Sequence, residues 1–292
     1  MVRPPTHEVI KANGFLPGDR WPVVRRGARS EDGSCRHLLV WEAGPGWRMV
    51  SSAVLGGGIG ERGWVVNAQV RAGYDRLDPD RHLAELARAE GLRGPGVGLM
   101  TAAEVDDCTW GEDGGAVAVV TTGIGVPTWA AAPAAAPAAP AEPATAPVPA
   151  PAGYVPGTIN ILAVVPAPVT DAGLVNLLAT ATEAKVQALL DAGYDCSGTP
   201  SDAVCVAVRA PDGRQAADPF GGPRSPWGAR LARAVHRAVV EGAHRDRERR
   251  AQGPGAPHPG PAADCRRGNV LAGPAARRRP DGAGPGNVTP VG

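Results

Sequence analysis

The chain has 292 residues, and its 40 Gly and 31 Pro exceed ordinary usage, which indicates that part of it does not pack into a core. Five widely spaced cysteines without a CxxC pair favour neither a disulfide framework nor a zinc site, so a reducing, cytoplasmic environment is expected. The net charge of +1 conceals nine Arg against four acidic residues in 244–292, which leaves a mildly acidic body with no expected affinity for nucleic acid. Neither an export signal nor eighteen uninterrupted apolar residues occur, so no membrane span is expected.

Strand-like and helix-like segments alternate along the chain. Runs rich in Val, Ile, Thr or Trp predict strands at 37–41, 49–55, 64–70, 116–121, 158–165 and 203–209. Capping residues and apolar spacing predict helices at 79–89, 171–191 and 226–241. This interleaving predicts an α/β or α+β fold, a layered sandwich of one or two mixed β-sheets with outer helices.

Two segments lack the apolar periodicity of a core. Residues 131–153 are almost entirely Ala and Pro, which is typical of an extended low-complexity insert in a surface loop. Residues 244–292 are rich in Arg, Gly and Pro and are predicted to form a disordered tail. The sequence therefore predicts one domain over 1–243, interrupted by the insert.

The helix predicted at 171–191 carries a polar stripe. Its members are spaced by four, three and four residues, so they share one face: Asn176, Thr180, Glu183 and Gln187. Lys185, one of only two lysines among the 30 basic residues, points to nearly the opposite side. An ordinary solvated face is one interpretation. The other makes a partly buried Glu183 a general base and Lys185 a contact for an anion or oxyanion.

A turn rich in Gly, Thr and Ser leads into the strand predicted at 203–209. Thr199, Ser201 and Asp202 lie at its entrance, where side chains are near solvent but held by a rigid element. Turn capping is the common explanation for such residues. The functional interpretation makes Asp202 a base or an orienting group. Cys205, in mid-strand, is expected to pack in the core rather than to act as a nucleophile.

Two glycine-rich loops are candidate binding elements. Gly57 and Gly58 lie in a cluster between predicted strands, where bare backbone can approach a ligand, and Asn67 follows as a polar contact. A tight hairpin explains this cluster equally well, and it matches no nucleotide-binding pattern. Arg224 precedes the helix predicted at 226–241, whose N-terminus is a plausible anion site.

Several blocks of this sequence resemble one enzyme family. The blocks are GTINILAVVPAPVTDAGLVNLLATATEAKVQALLDAGYDCSGTPSDAVCVA, PFGGPRSPWGARLARAVHRAV, GGGIGERGWVVNAQV, YDRLDPDRHLAELA and PGVGLMTAAEVDD. They are similar to the adenosylcobinamide amidohydrolase family and cover most of residues 35–243 outside the Ala/Pro insert. The resemblance implies hydrolysis of the amide between a corrin propionate and aminopropanol, which turns adenosylcobinamide into adenosylcobyric acid in vitamin B12 salvage. It implies a corrinoid substrate and neither a metal nor an organic cofactor.

The matching blocks and side-chain chemistry together nominate the site residues. The predicted catalytic residues are Glu183, Asp202, Lys185, Thr182 and Ser201. The predicted substrate-binding residues are Gly57, Gly58, Asn67, Asn160, Asn176, Thr199 and Arg224. In the expected mechanism Glu183 or Asp202 activates water or a hydroxyl, while loop amides and Lys185 stabilise the oxyanion. The alternatives are a non-catalytic corrinoid-binding protein and a self-processing amide hydrolase with a Thr nucleophile. The sequence leaves the oligomeric state open.

Overall fold

A computed structural model describes Pro22 and residues 24–31, 34–133, 157–213, 215–252 and 270–271. Within these residues the chain forms eleven strands and three α-helices. The strands are β1 (Val24–Glu31), β2 (Ser34–Trp41), β3 (Trp47–Ser51), β4 (Gly58–Glu61), β5 (Val65–Gln69), β6 (Val97–Thr101), β7 (Thr109–Asp113), β8 (Ala116–Thr122), β9 (Ile159–Pro168), β10 (Ala203–Arg209) and β11 (Val270–Leu271). The helices are α1 (Pro79–Ala89), α2 (Asp171–Asp191) and α3 (Pro226–Ala251), with a short 3₁₀ turn at Val105–Asp107.

The strands form two mixed sheets. One has five strands in the order β11-β1-β2-β5-β6, and the other has six in the order β4-β3-β10-β9-β8-β7. The pairs β5/β6 and β9/β10 are parallel, and all other neighbours are antiparallel. In the β9/β10 pair Asn160 is opposite Ala203. The amino ends of these two strands therefore lie side by side.

Three apolar clusters stack the elements into four layers. Side chains such as Leu83 and Val66 pack α1 on the outer face of the five-stranded sheet. Leu39, Leu162 and their neighbours fill the space between the two sheets. Alternate side chains of β8, β9 and β10 pack against α2 and α3 on the far side. The order helix, sheet, sheet, helices confirms the predicted layered α/β sandwich.

Helix boundaries follow from the capping residues. The Thr170 hydroxyl accepts a hydrogen bond from the Gly173 amide (3.2 Å) and begins α2, while Ser225 accepts one from the Gly228 amide (3.0 Å) and begins α3. Gly193, at φ +79°, follows the end of α2 in the left-handed conformation that glycine favours. The predicted bounds of α1 and α2 match the structure.

The boundary that the sequence predicted at residue 243 falls inside α3. The helix continues through Ala251, because Asp246 is buried and its carboxylate accepts a hydrogen bond from Arg250 (2.7 Å). Arg249 also reaches Asp107 (2.5 Å) and so ties the last turns to the body. Residues 244–251 therefore belong to the domain rather than to a disordered tail. Most of the predicted insert and the remaining tail lie outside the described residues.

The predicted strands all correspond to observed ones, although the one predicted at 49–55 ends at Ser51. Five strands were not predicted: β1, β4, β6, β7 and β11. Cys35 is disulfide-bonded, whereas the spacing of the cysteines gave no sign of such a bond and disulfides are rare in reducing compartments. Among the described helices none combines the length and apolar character that crossing a bilayer requires.

Candidate active site

A polar cluster lies where the amino ends of β9 and β10 meet. The chain leaves β9, turns into α2 and returns through the loop at 193–202 to begin β10 beside the start of β9. Residues distant in sequence are thereby brought together: Thr158, Lys185, Thr199, Ser201 and Asp202. We call these five residues the Asp202 cluster. Four of them, all except Thr158, were predicted site residues.

Asp202 is the hub of this cluster because its carboxylate accepts four hydrogen bonds. Oδ1 accepts from the Ile159 amide (2.9 Å) and the Thr199 hydroxyl (2.5 Å). Oδ2 accepts from the Thr199 amide (3.1 Å) and from Lys185 Nζ (2.5 Å). A carboxylate with this many donors is held in a fixed orientation.

The Lys185–Asp202 ion pair is shielded from water. Their side chains are only 8% and 9% exposed. Buried charges persist in proteins when they are paired and hydrogen-bonded, as here. Gly198 packs against the pair so closely that a Cβ at this position would lie 2.2 Å from Asp202 Oδ2 and 2.6 Å from Lys185 Nζ. Only glycine leaves room for the ion pair, which explains why residue 198 is a glycine.

Two hydroxyl groups lie beside the ion pair. Thr158 Oγ1 and Ser201 Oγ are 2.7 Å apart, and Ser201 Oγ also donates to the Gly157 carbonyl oxygen (3.3 Å). Ser201 is exposed, whereas Thr158 is only 5% exposed. Sequence reasoning missed Thr158. The available signal was its Gly-Thr step at a strand start, a pattern that recurs at Gly198–Thr199 beside Asp202.

Asn67 and Asn160 meet between the two sheets. Asn160 Nδ2 donates to Asn67 Oδ1 (2.8 Å) and to the Met100 carbonyl (2.9 Å), and Asn67 Nδ2 donates to Thr121 Oγ1 (2.9 Å). Both asparagines are buried and line a cavity of about 20 Å³, and Asn160 Oδ1 has no hydrogen-bond partner. Asn160 lies in β9 and follows Thr158 by two residues. Asn67 and Asn160 therefore form a buried polar contact between the two sheets, with Asn160 close in sequence to Thr158 of the Asp202 cluster.

Comparison with known proteins matches these elements to one family. The family model described as adenosylcobinamide amidohydrolase matches residues 23–251, which include every element that builds the cluster. The chain belongs to the adenosylcobinamide amidohydrolase family. An adenosylcobinamide amidohydrolase of Methanosarcina mazei is 28% identical over 197 residues, covering 65% of this chain and 88% of the relative. Another, of Halobacterium salinarum, is 45% identical over 85 residues, covering 29% of this chain and 35% of that relative.

The glycine loop of this family member borders the Asp202 cluster. The Ser52 amide donates to the Val204 carbonyl (3.0 Å) and the Val204 amide donates to the Ser52 hydroxyl (3.0 Å), so the loop begins at the start of β10. Gly57 lies in this loop and Gly58 begins β4 directly after it, and both are exposed. A Cβ on Gly57 would lie 2.5 Å from the Ala53 carbonyl oxygen, which explains the glycine there by packing.

Glu183 and Thr182 lie away from this cluster. Both are exposed on the outer side of α2, and Glu183 lines the groove between α2 and α3. The prediction that Glu183 and Lys185 point in opposite directions is confirmed, and only the lysine faces the sheet. Glu183 is exposed, whereas the sequence-based hypothesis of a general base expected it to be partly buried.

Asn176 and Arg224 lie away from the Asp202 cluster, with Asn176 in the first half of α2. Asn176 precedes Lys185 by nine residues, or roughly 13 Å along the helix axis. It is next to Gly222, in the loop that carries Arg224 into α3. The structure does not bring these two residues to the Asp202 cluster.

Cys205 packs in the core, as predicted. Its side chain is fully buried, and its Sγ is 4.0 Å from Met49 Sδ. Burial raises the pKa of this thiol to about 12. A thiol is nucleophilic as the thiolate, so Cys205 is inert at neutral pH. In the described part of the chain, no group of three or more His, Cys, Asp or Glu side chains is close enough to hold a metal ion.

Proposed function

We propose that this chain hydrolyses the amide between a corrin propionate and aminopropanol in adenosylcobinamide, giving adenosylcobyric acid, and that the reaction takes place at the Asp202 cluster. The observation that carries the proposal is the family match over 23–251. That range contains all five members of the cluster and both strands that position them. A site at adjoining strand ends supported by a rigid sheet is well suited to holding reacting groups in fixed positions.

In this proposal Lys185 stabilises the negative charge that develops on the amide oxygen. Its ammonium has three N–H donors, and one of them is used on Asp202 Oδ2. A shielded cation fixed at a known point needs no reorganisation when the oxyanion forms, and preorganised donors of this kind contribute a large share of catalysis. Asp202 holds the Lys185 ammonium in place and accepts hydrogen bonds from the amide and the hydroxyl of Thr199. With all its acceptor positions occupied, Asp202 acts as a positioning residue and not as a base.

Exposed apolar side chains flank the cluster and suit a large macrocycle. The Thr128 amide donates to the Gly198 carbonyl (2.8 Å), which places the half-exposed Trp129 next to the loop that holds Asp202. Val54, 56% exposed, lies in the glycine loop on the other flank of β10. Indole rings and aliphatic groups bind the apolar faces of ring systems. These two side chains are the proposed contacts for the corrin ring.

The experiment is a turnover assay with adenosylcobinamide and matched variants on one helix. Lys185→Met is expected to lower kcat by about 10²- to 10³-fold, the usual effect of losing one oxyanion donor. Glu183→Gln, two residues away on the exposed face, is the control and should turn over as the wild type does. Full turnover by a folded Lys185→Met protein would remove Lys185 from the mechanism. Tight binding of adenosylcobinamide by the wild type without product would favour a corrinoid-binding protein instead.

A further inference from the structure

The Asp202 cluster lacks an evident base for a nucleophile. All four donors around Asp202 point at its carboxylate, and no histidine is among its hydrogen-bond partners. Lys185 is engaged as a hydrogen-bond donor to Asp202. An attacking hydroxyl needs a group that takes up its proton, as a neighbouring histidine or amine does in many hydrolases. No group hydrogen-bonded to Asp202 supplies that function.

The peptide bond between Gly157 and Thr158 has an unusual arrangement of donors. Thr158 Oγ1 is within 2.7 Å of Ser201 Oγ, and Ser201 Oγ donates to the carbonyl oxygen of Gly157 at 3.3 Å. Ser201 thus bridges the hydroxyl of one residue and the carbonyl of the residue before it. It is placed to accept the Thr158 proton while giving its own to the Gly157 oxygen.

The backbone around this bond is tightly held. A Cβ on Gly157 would lie 2.2 Å from the Gly125 amide nitrogen and 2.3 Å from the Gly123 carbonyl oxygen, so the site accepts only glycine. On the other side, the Thr158 carbonyl accepts from the Gly123 amide (3.0 Å), and the Ile159 amide is held by Asp202. Thr158 is 5% exposed. While the chain is continuous, its hydroxyl is therefore closed to a substrate as large as a corrinoid.

We propose that the chain cleaves itself between Gly157 and Thr158, and that Thr158, as a new N-terminal residue, is the nucleophile of the amide hydrolase. In the first step Thr158 Oγ1 attacks the Gly157 carbonyl carbon and passes its proton to Ser201, which protonates the carbonyl oxygen. The C–N bond then breaks as the nitrogen takes up that proton. An ester between Gly157 and Thr158 Oγ1 and a free α-amine result. Water hydrolyses the ester and restores the hydroxyl.

The second half of this inference rests on the proposed function. The α-amine of Thr158 takes the proton from its own hydroxyl as the oxygen attacks the substrate amide, which is how N-terminal threonine nucleophiles are activated. The amine then gives the proton to the departing aminopropanol, and water releases the acyl group as a carboxylate. Cleavage thus supplies the missing base and opens the buried hydroxyl. The two pieces stay together, because β9 remains paired with β8 on one side and β10 on the other.

The test is the mass of the purified chain of 292 residues after reduction, because Cys35 is disulfide-bonded. The wild type is expected as two co-eluting polypeptides, residues 1–157 and 158–292, with the second beginning Thr-Ile-Asn. Thr158→Ala is expected as one chain of 29.7 kDa, and Thr158→Ser as two pieces, since serine keeps the hydroxyl. Ser30→Ala, an exposed hydroxyl on β1, is the control and should cleave like the wild type. Ser201→Ala should slow cleavage in a time course of the purified chain.

An intact wild-type chain overturns the inference, and so does cleavage of Thr158→Ala at the same bond, since that would reveal a foreign protease. The proposed function is scored separately with adenosylcobinamide. Turnover by an intact chain keeps the proposed function and rejects self-cleavage. Cleaved protein that makes no product supports self-cleavage and rejects the assigned substrate.

Discussion

The Asp202→Asn substitution should destabilise the protein far more than an ordinary surface substitution. An asparagine keeps one acceptor oxygen, but its amide nitrogen would face Lys185 Nζ and the Thr199 amide, which are both donors. Lys185 would be left as a shielded, unpaired charge, a change that typically costs about 3–5 kcal/mol. For a domain of this size that lowers Tm by roughly 6–20 °C.

The matched control is Asp171→Asn. Asp171 also forms an ion pair at 2.5 Å, with Arg48, but their side chains are 54% and 30% exposed. Solvent screens such a pair, so its loss should change Tm much less. Thermal unfolding followed by circular dichroism measures both. Equal decreases in Tm for the two variants would refute the idea that burial makes the Lys185–Asp202 pair more important for stability than the exposed Arg48–Asp171 pair. The double variant Lys185→Met/Asp202→Asn should lose less than the sum of the single variants, because neither charge is then left alone.

Further predictions concern the loop, the core and the outer helix face. Gly198→Ala should lower stability by about 1–3 kcal/mol and reduce turnover, since its Cβ collides with the Lys185–Asp202 pair; unchanged urea midpoint and activity would contradict this. Because burial raises the pKa of Cys205 to about 12, the folded state keeps this proton while the unfolded state loses it near pH 9. Stability should therefore fall by about 1 kcal/mol between pH 8 and 10, and a Cys205→Ala protein with the same pH dependence would contradict this. Glu183→Gln should change the free energy of unfolding by no more than about 0.5 kcal/mol, and a large loss would place Glu183 in a tighter environment than its exposed position indicates.

Local sequence signals predicted both ends of α2 but not the C-terminal end of α3. The hydroxyl of Thr170 and the left-handed Gly193 bracket α2, and both are readable from the sequence. The end of α3 was not, since its last turns are rich in Arg and lack apolar spacing. They are held instead by Asp246 and by the contact of Arg249 with Asp107, 142 residues earlier. Contacts across such distances leave no local signal.

The candidate site was only partly predictable, because its residues also meet through contacts between distant parts of the sequence. Strand entry nominated Ser201 and Asp202, and composition drew attention to Lys185, but their contact spans a helix and a loop. Thr158 escaped prediction because its significance comes from Ser201, 43 residues later. Glu183 attracted attention because it and Lys185 are the two charged residues between the terminal aspartates of α2, and only the packing of that helix shows which side faces the sheet. Side-chain chemistry was thus visible in the sequence, while orientation depended on tertiary packing.

Hydrolysis of adenosylcobinamide in water enriched in ¹⁸O tests whether this chain is the amidohydrolase. We expect mass spectrometry to show adenosylcobyric acid with one ¹⁸O in the new carboxylate, released together with an equal amount of unlabelled aminopropanol. Adenosylcobinamide recovered unchanged after incubation with folded protein would contradict this expectation.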